Sequence, residues 1–261
     1  MRSETMLRWS IRFYIGVFFL YLFTPLIIMG LATFNDSRFP TVSPWKGFTL
    51  KWFSALAEDG AMWHALWISV IVAIGVLVVA VPIGICCALF LSTFQGRGKT
   101  FIYSLMMSPL LTPGVIVGIS TLIFWKGFSV SGGVMLTVIA QTTFIAAYVM
   151  LMVLARLQRF DRTLENAALS LGATQWQAFR RILLPYLKPA IISAAGIAFL
   201  QSFENYNTTL FVKGYDTTLT VYIASKVRTG LTPAVNALGL VMLSVTILLA
   251  VAYEWKRRRE I

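Results

Sequence analysis

Histidine occurs once, at His64, and cysteine twice, as the adjacent Cys86 and Cys87 inside an apolar run. Adjacent cysteines are too close for an ordinary disulfide, and these have no histidine or carboxylate beside them, so they read as small packing residues and not as metal ligands. Acidic residues are scarce as well, 10 Asp and Glu against 22 Lys and Arg in 261 residues. No strand alternation, glycine-rich phosphate loop or nucleophile constellation is present, which excludes nucleotide-binding α/β enzymes, zinc modules and hydrolase triads.

What fills the chain is apolar surface. Apolar residues make up 58% and charged residues 12%, with a mean hydropathy of +0.78, values outside the range of soluble domains. The chain reads as an all-α integral membrane protein. A bilayer core of about 30 Å takes roughly 20 apolar residues of helix. Six runs meet that length: residues 13–34, 66–94, 101–124, 130–154, 189–211 and 234–253. The first follows Arg2, Arg8 and Arg12, lacks a small-residue cleavage site and exceeds a signal-peptide core, so it is expected to stay as an anchor. The net charge of +12 raises nucleic acid as a partner, but the cations cluster at the ends of apolar runs and not along one polar face, so they are membrane topology signals with lipid as the neighbour. Fifteen Lys and Arg fall on the loops joined to the two termini and residues 155–188, and seven on the alternate loops. The positive-inside rule then puts both termini and the 155–188 loop in the cytoplasm.

That loop is the longest polar interruption, and it reads as two short helices with a bend between them. Asp161 caps the first, Leu164, Ala168 and Leu171 give it an apolar face, and Gly172 ends it. Thr174 and Gln177 form a capping box for the second, whose face is Trp176, Phe179 and Leu183, and Pro185 is expected to end it before Pro189 opens the next span. Within this knob, Ala167, Ala168, Gly172, Ile182, Leu184 and Pro185 stand in the spacing Ala-Ala, three residues, Gly, nine residues, Ile-x-Leu-Pro. This resembles the cytoplasmic EAA loop of the membrane subunits of bacterial ATP-binding cassette importers, with one departure: Asn166 stands where the family has glutamate, and Glu165 is displaced by one. The small residues permit close packing, so the docking geometry is retained.

The resemblance implies a single transmembrane permease domain over residues 1–261, with the coupling loop at about 156–188 and ATPase-coupling residues Glu165, Asn166, Ala167, Ala168, Gly172, Ala173, Ile182, Leu184 and Pro185. It implies a bacterial inner-membrane location and a second permease subunit. Two ATP-binding cassette ATPases would carry the ATP and Mg, leaving no cofactor on this chain, and a periplasmic binding protein would deliver solute. The chain itself would catalyse nothing. The stretches Phe34-Asn35-Asp36-Ser37-Arg38-Phe39, Phe211-Val212-Lys213-Gly214 and 229–238 are similar to permeases of the spermidine/putrescine type. This narrows the expected solute to a polyamine or related amine.

Two stretches are candidates for the path. Ser108-Pro109-Leu110-Leu111-Thr112-Pro113 removes two backbone donors within a span, which a helix lining a cavity satisfies with water, Ser108 or Thr112. Burial of the kink against neighbouring helices is the competing reading. In the fifth run, a helix starting at Pro189 places Glu204 roughly 23 Å along its axis at ~1.5 Å per residue. An intramembrane carboxylate beside Asn205, Tyr206 and Asn207 suits an ammonium group; a structural ion pair or a gate is the alternative. Ser129, Ser131, Gly132, Gly133, Gln141, Thr142 and Thr143 of the fourth run read as helix-packing residues. The aromatic segment 35–61 reads as an interfacial belt, with partner docking as the alternative. An importer of a non-amine solute and a secondary transporter without an ATPase stay open.

Overall fold

The computed structural model describes residues 2–94, 96–230 and 232–259, with the side chains at 2–6, 249–250, 253–254 and 256–259 outside that description. Leu231 of the 229–238 motif and the terminal cations Arg2 and Lys256 to Arg259 therefore fall outside what is described of side chains. The described residues are almost entirely helical: α1 (Arg2–Thr33), α2 (Lys51–Glu58), α3 (Gly60–Thr93), α4 (Lys99–Leu111), α5 (Gly114–Lys126), α6 (Val134–Leu157), α7 (Thr163–Ser170), α8 (Gln175–Ala178), α9 (Leu184–Phe203), α10 (Thr209–Val212), α11 (Leu219–Thr229) and α12 (Pro233–Arg259). An isolated antiparallel bridge joins Asn35 to Phe48.

Four described helices have the length and apolarity of a span, Leu7–Thr33, Gly60–Thr93, Val134–Leu157 and Gln175–Phe203, and α4 with α5 makes a fifth if counted as one bent span. The expected final span, 234–253, runs beyond the described side chains, and its described apolar part is Pro233–Leu248. Two expected spans are corrected. Residues 101–124 are two helices at 100° to one another, broken at Thr112-Pro113. The fifth span starts earlier and ends earlier than expected. Pro185 does not stop it: Phe179–Leu183 form a π-helical turn in which the Leu184 N–H reaches back to the Phe179 carbonyl, and the helix continues to Phe203. The widened turn makes room for a ring that lacks a donor. The chain then leaves the helix at Glu204, because the Asn205 side chain captures the next backbone donors.

Helix packing divides the chain into two units, residues 1–62 with 223–261, and residues 63–222. In the first, α1 and α2 lie against α12. Phe34 stacks on Phe48 with centroids 5.3 Å apart, and Lys51 pairs with Asp36. Asn35 is fully buried: its amide nitrogen donates to the carbonyls of Thr41 and Pro44, and its amide oxygen accepts from the Lys46 N–H at 2.8 Å. The 35–61 segment is thus folded around one asparagine. Along α1, by contrast, Phe13, Tyr14, Leu20 and Tyr21 are exposed, an apolar face that a membrane would cover.

The second unit has its core between α3, α6 and α9. Ile68, Val72, Val76 and Ala80 recur every four residues along α3, Ile145, Val149 and Val153 do so along α6, and Leu187, Ala194 and Ala198 meet them from α9. Gly84 sets the approach of α3 to α6, since a Cβ there would lie 2.6 Å from Val149 Cβ and 2.8 Å from the Ala146 carbonyl oxygen. Gly84→Val is expected to force the two helices apart at a cost of about 1–3 kcal/mol, the range for overpacking a filled core. Thermal unfolding of the detergent-solubilised protein measures this, and an unchanged midpoint would contradict the packing.

Candidate functional site: the coupling turn and the broken span

The α7–α8 turn is built from two interlocking caps. The Asp161 carboxylate accepts from the Thr163 N–H at 2.9 Å, and that bond, with a second from the Thr163 hydroxyl, holds its carboxyl below the usual aspartate range. At the other end of α7 the Gly172 N–H donates to the Leu169 carbonyl and the Ala173 N–H to the Ala168 carbonyl, both at 3.0 Å. This is a Schellman closure, and it requires the left-handed backbone that Gly172 adopts at φ 87°. The next residue opens the following helix. Thr174 Oγ1 accepts from the Gln177 N–H at 3.2 Å while Gln177 Oε1 accepts from the Thr174 N–H at 2.8 Å, the expected capping box. Of the residues in this closure only Gly172 is constrained by it, because the Ala168 carbonyl and the Ala173 N–H are backbone groups.

The turn leaves apolar side chains facing outward. Leu171 is 88% exposed and Trp176 66%, with Leu164 also exposed and Trp176 stacked on Phe179 at 5.5 Å. Asn166 and Ala167 are exposed on the same helix, Glu165 and Ala168 half-buried. The later motif residues diverge: Ile182 is half-buried and Leu183 buried inside the π turn, and Leu184 and Pro185 are at the surface. The knob is fixed to the core by Arg156, whose guanidinium lies 4.0 Å over the Tyr186 ring, with Phe160 against the same ring at 5.0 Å.

At the broken span, the carbonyls released by the two prolines are answered locally. Ser108 Oγ donates to the Leu105 carbonyl and Thr112 Oγ1 to the Ser108 carbonyl, each at 2.8 Å, while the Thr112 N–H reaches Pro109. Both hydroxyls are therefore committed to the backbone. α5 then packs directly on the chain after α9. A Cβ at Gly118 would lie 2.7 Å from the Thr208 carbonyl oxygen, and one at Gly114 would lie 2.9 Å from Thr208 Oγ1. This Gly114–Gly118 spacing is a small-residue contact that sequence reasoning missed; the G-x-x-x-G signal was there to be found.

Between these elements lies a cavity of about 190 Å³ lined by Pro109, Thr112, Phe144, Tyr148, Asn205, Asn207 and Thr208, with Leu110 and Gly114. The structure thus brings Pro109 and Thr112 together with Asn205 and Asn207. Ser108, Pro113, Glu204 and Tyr206 are not among the lining residues. Glu204 follows the last residue of α9 and is exposed, and its carboxylate has no hydrogen bond or ion pair among the described residues. Asn205 is tied down: its Oδ1 accepts from the N–H groups of Thr208 and Thr209 at 3.2 Å and from the Thr209 hydroxyl at 3.1 Å. Thr209 in turn accepts from the fully buried Gln141, which accepts from Ser202 at 2.6 Å. Asp216, which the sequence reading passed over, caps α6 from 82 residues away by accepting from the Val134 N–H at 3.1 Å. Among the described residues no cluster of side chains could hold a metal ion.

An all-helical chain with a broken span and a capped two-helix turn between membrane-length helices has the architecture of a transporter membrane subunit. The family described as binding-protein-dependent transport system inner membrane component matches residues 80–260, and the chain belongs to that family. It is the membrane permease component of such a system, multi-pass in the inner membrane, and not its catalytic subunit. The chain is 34% identical over 233 residues to the putrescine transport system permease protein PotI of Escherichia coli, covering 86% of this chain and 82% of that one. It is 30% identical over 236 residues to the spermidine/putrescine transport system permease protein PotC of the same organism, covering 90% and 88%. A crystal structure of a bacterial ABC transporter involved in the import of the acidic polysaccharide alginate matches with a TM-score of 0.72 over 99% of this chain and 98% of that one, at 13% identity, which shows the fold alone.

If Gly172 is needed for its backbone, side chains should rank by their tolerance of positive φ. Gly172→Asn should retain most ATP-dependent transport in the assembled complex, while Gly172→Val should lose most of it, a left-handed conformation costing an ordinary residue about 1–2 kcal/mol. Equal transport by the two variants would contradict the closure as the determining feature.

Proposed function

We propose that the chain is a six-span permease subunit that forms half of the translocation path for a polyamine or related small amine, driven by two ATPase subunits that dock on the α7–α8 turn. The observation that carries the docking is the outward display of Leu171 and Trp176 on a rigidly capped turn in register with the EAA spacing. In this reading Glu165, Asn166, Ala167, Ala168, Gly172, Ala173, Ile182, Leu184 and Pro185 make or shape the ATPase contact, both termini lie in the cytoplasm, and residues 1–261 act as one permease domain. The second permease is a homologous chain, and a periplasmic binding protein presents the solute. ATP and Mg act on the ATPases, whose closure moves the turn and rocks the permease pair between its two access states.

The amine reading draws on the permeases for putrescine and spermidine that the chain resembles and on its own residues. Asn205, Asn207 and Thr112 line the small cavity beside the aromatic faces of Phe144 and Tyr148, a lining suited to an alkylammonium chain. Glu204, adjacent in sequence to Asn205 and exposed, supplies the charge in this reading. A second reading, an uncharged polar solute, is favoured by the absence of an acidic side chain from the cavity lining itself.

Proteoliposomes holding this chain, its partner permease and the ATPases test the proposal through uptake of labelled putrescine and spermidine with the cognate binding protein. ATP-dependent amine uptake is expected, and Glu204→Gln should lower it roughly tenfold or more, the worth of a hydrogen bond to a charged group at about 1.5–3 kcal/mol. Uptake of neutral polar solutes with no response to amines would select the second reading.

A further inference from the structure

A second cavity, of about 690 Å³, is not on the proposed path. It opens where α3 ends, α4 begins and α6 ends, so it lies at one end of the membrane-length helices. Its lining divides by chemistry. Leu91, Leu151 and Leu154 form an apolar wall, while Lys99, Arg162 and Tyr103 add two cations and a phenol, and no acidic residue lines it among the described residues. Arg162 donates from Nη2 to the Ser92 carbonyl at 3.0 Å, which holds the guanidinium in place and leaves its other donors unspent. No carboxylate among the described residues pairs with Lys99 or Arg162, and the neighbouring Asp161 is occupied by Thr163.

We infer that this cavity is a binding site for an anionic phospholipid, with the phosphate between Lys99 and Arg162 and the acyl chains along Leu151 and Leu154. A pocket of this size falls in the range of small-molecule sites, and basic pockets between helix ends at the membrane surface take anionic head groups. A soluble anion would have no use for the apolar wall, and a zwitterionic lipid would meet two cations with its own cation. The site matters to coupling because Arg162 immediately precedes α7. A head group held there braces the entry to the coupling turn.

Native mass spectrometry of the assembled transporter, offered phosphatidylglycerol or phosphatidylcholine in detergent, tests the site. The parent complex should retain phosphatidylglycerol with a preference of roughly thirtyfold, the worth of two cations near an anionic lipid. Lys99→Gln with Arg162→Gln should abolish the preference. Ala155→Phe, which fills the cavity from an exposed position and keeps both cations, should lower retention as well. Arg8→Gln with Arg12→Gln, which removes two cations from the exposed face of α1, should leave retention at the parent level. The inference is overturned if both cavity variants retain phosphatidylglycerol like the parent, or if the α1 variant loses it equally. It is also overturned if millimolar inorganic phosphate displaces the lipid, because the site would then serve a soluble anion.

Discussion

Inside a bilayer, every backbone donor and acceptor has to be answered by the protein, and this constraint governs each place where the chain departs from a straight helix. At the Pro109 and Pro113 break the carbonyls are taken by Ser108, Thr112 and the Thr112 N–H. At the end of α9 the Asn205 side chain collects the N–H groups of Thr208 and Thr209, and Gln141 and Ser202 extend the network into the core. Ser108, Thr112 and Asn205 thus serve as backbone partners, and the cavity beside them lies where the chain bends.

The same economy shapes the α7–α8 turn. Two helices are joined there within a few residues. The Schellman closure at Gly172 and the capping box at Thr174 satisfy the helix ends on both sides of the bend with no residue to spare between them. Glycine at 172 follows from the closure. Leu171 and Trp176 are left largely exposed, Trp176 with one face stacked on Phe179.

Local chemistry was legible in the sequence and long-range chemistry was not. The all-helical membrane class and both caps of the α7–α8 turn follow from residues a few positions apart, where propensity and capping act directly; the prolines at 109 and 113 marked a disturbed span but not its division into two helices at 100°. The continuation of the helix through Pro185 was unreadable because the compensating π turn is a tertiary adjustment. Asn205 reads in sequence as a ligand group; that its Oδ1 also caps its own loop was not readable, since those partners depend on where the chain turns next. Asp216 capping α6 across 82 residues had no local signal. The Gly114–Gly118 contact did have one, obscured by the neighbouring prolines.

The most direct measurement is site-specific photo-crosslinking in the assembled complex, with a photoreactive amino acid at Leu171 on the coupling turn or at Tyr215, which is fully exposed on the loop after α10. The account predicts a covalent adduct between this chain and an ATPase subunit from position 171 and none from position 215, which should instead be reachable by membrane-impermeant reagents from outside. An ATPase adduct from position 215, or none from position 171 in an intact complex, would contradict it.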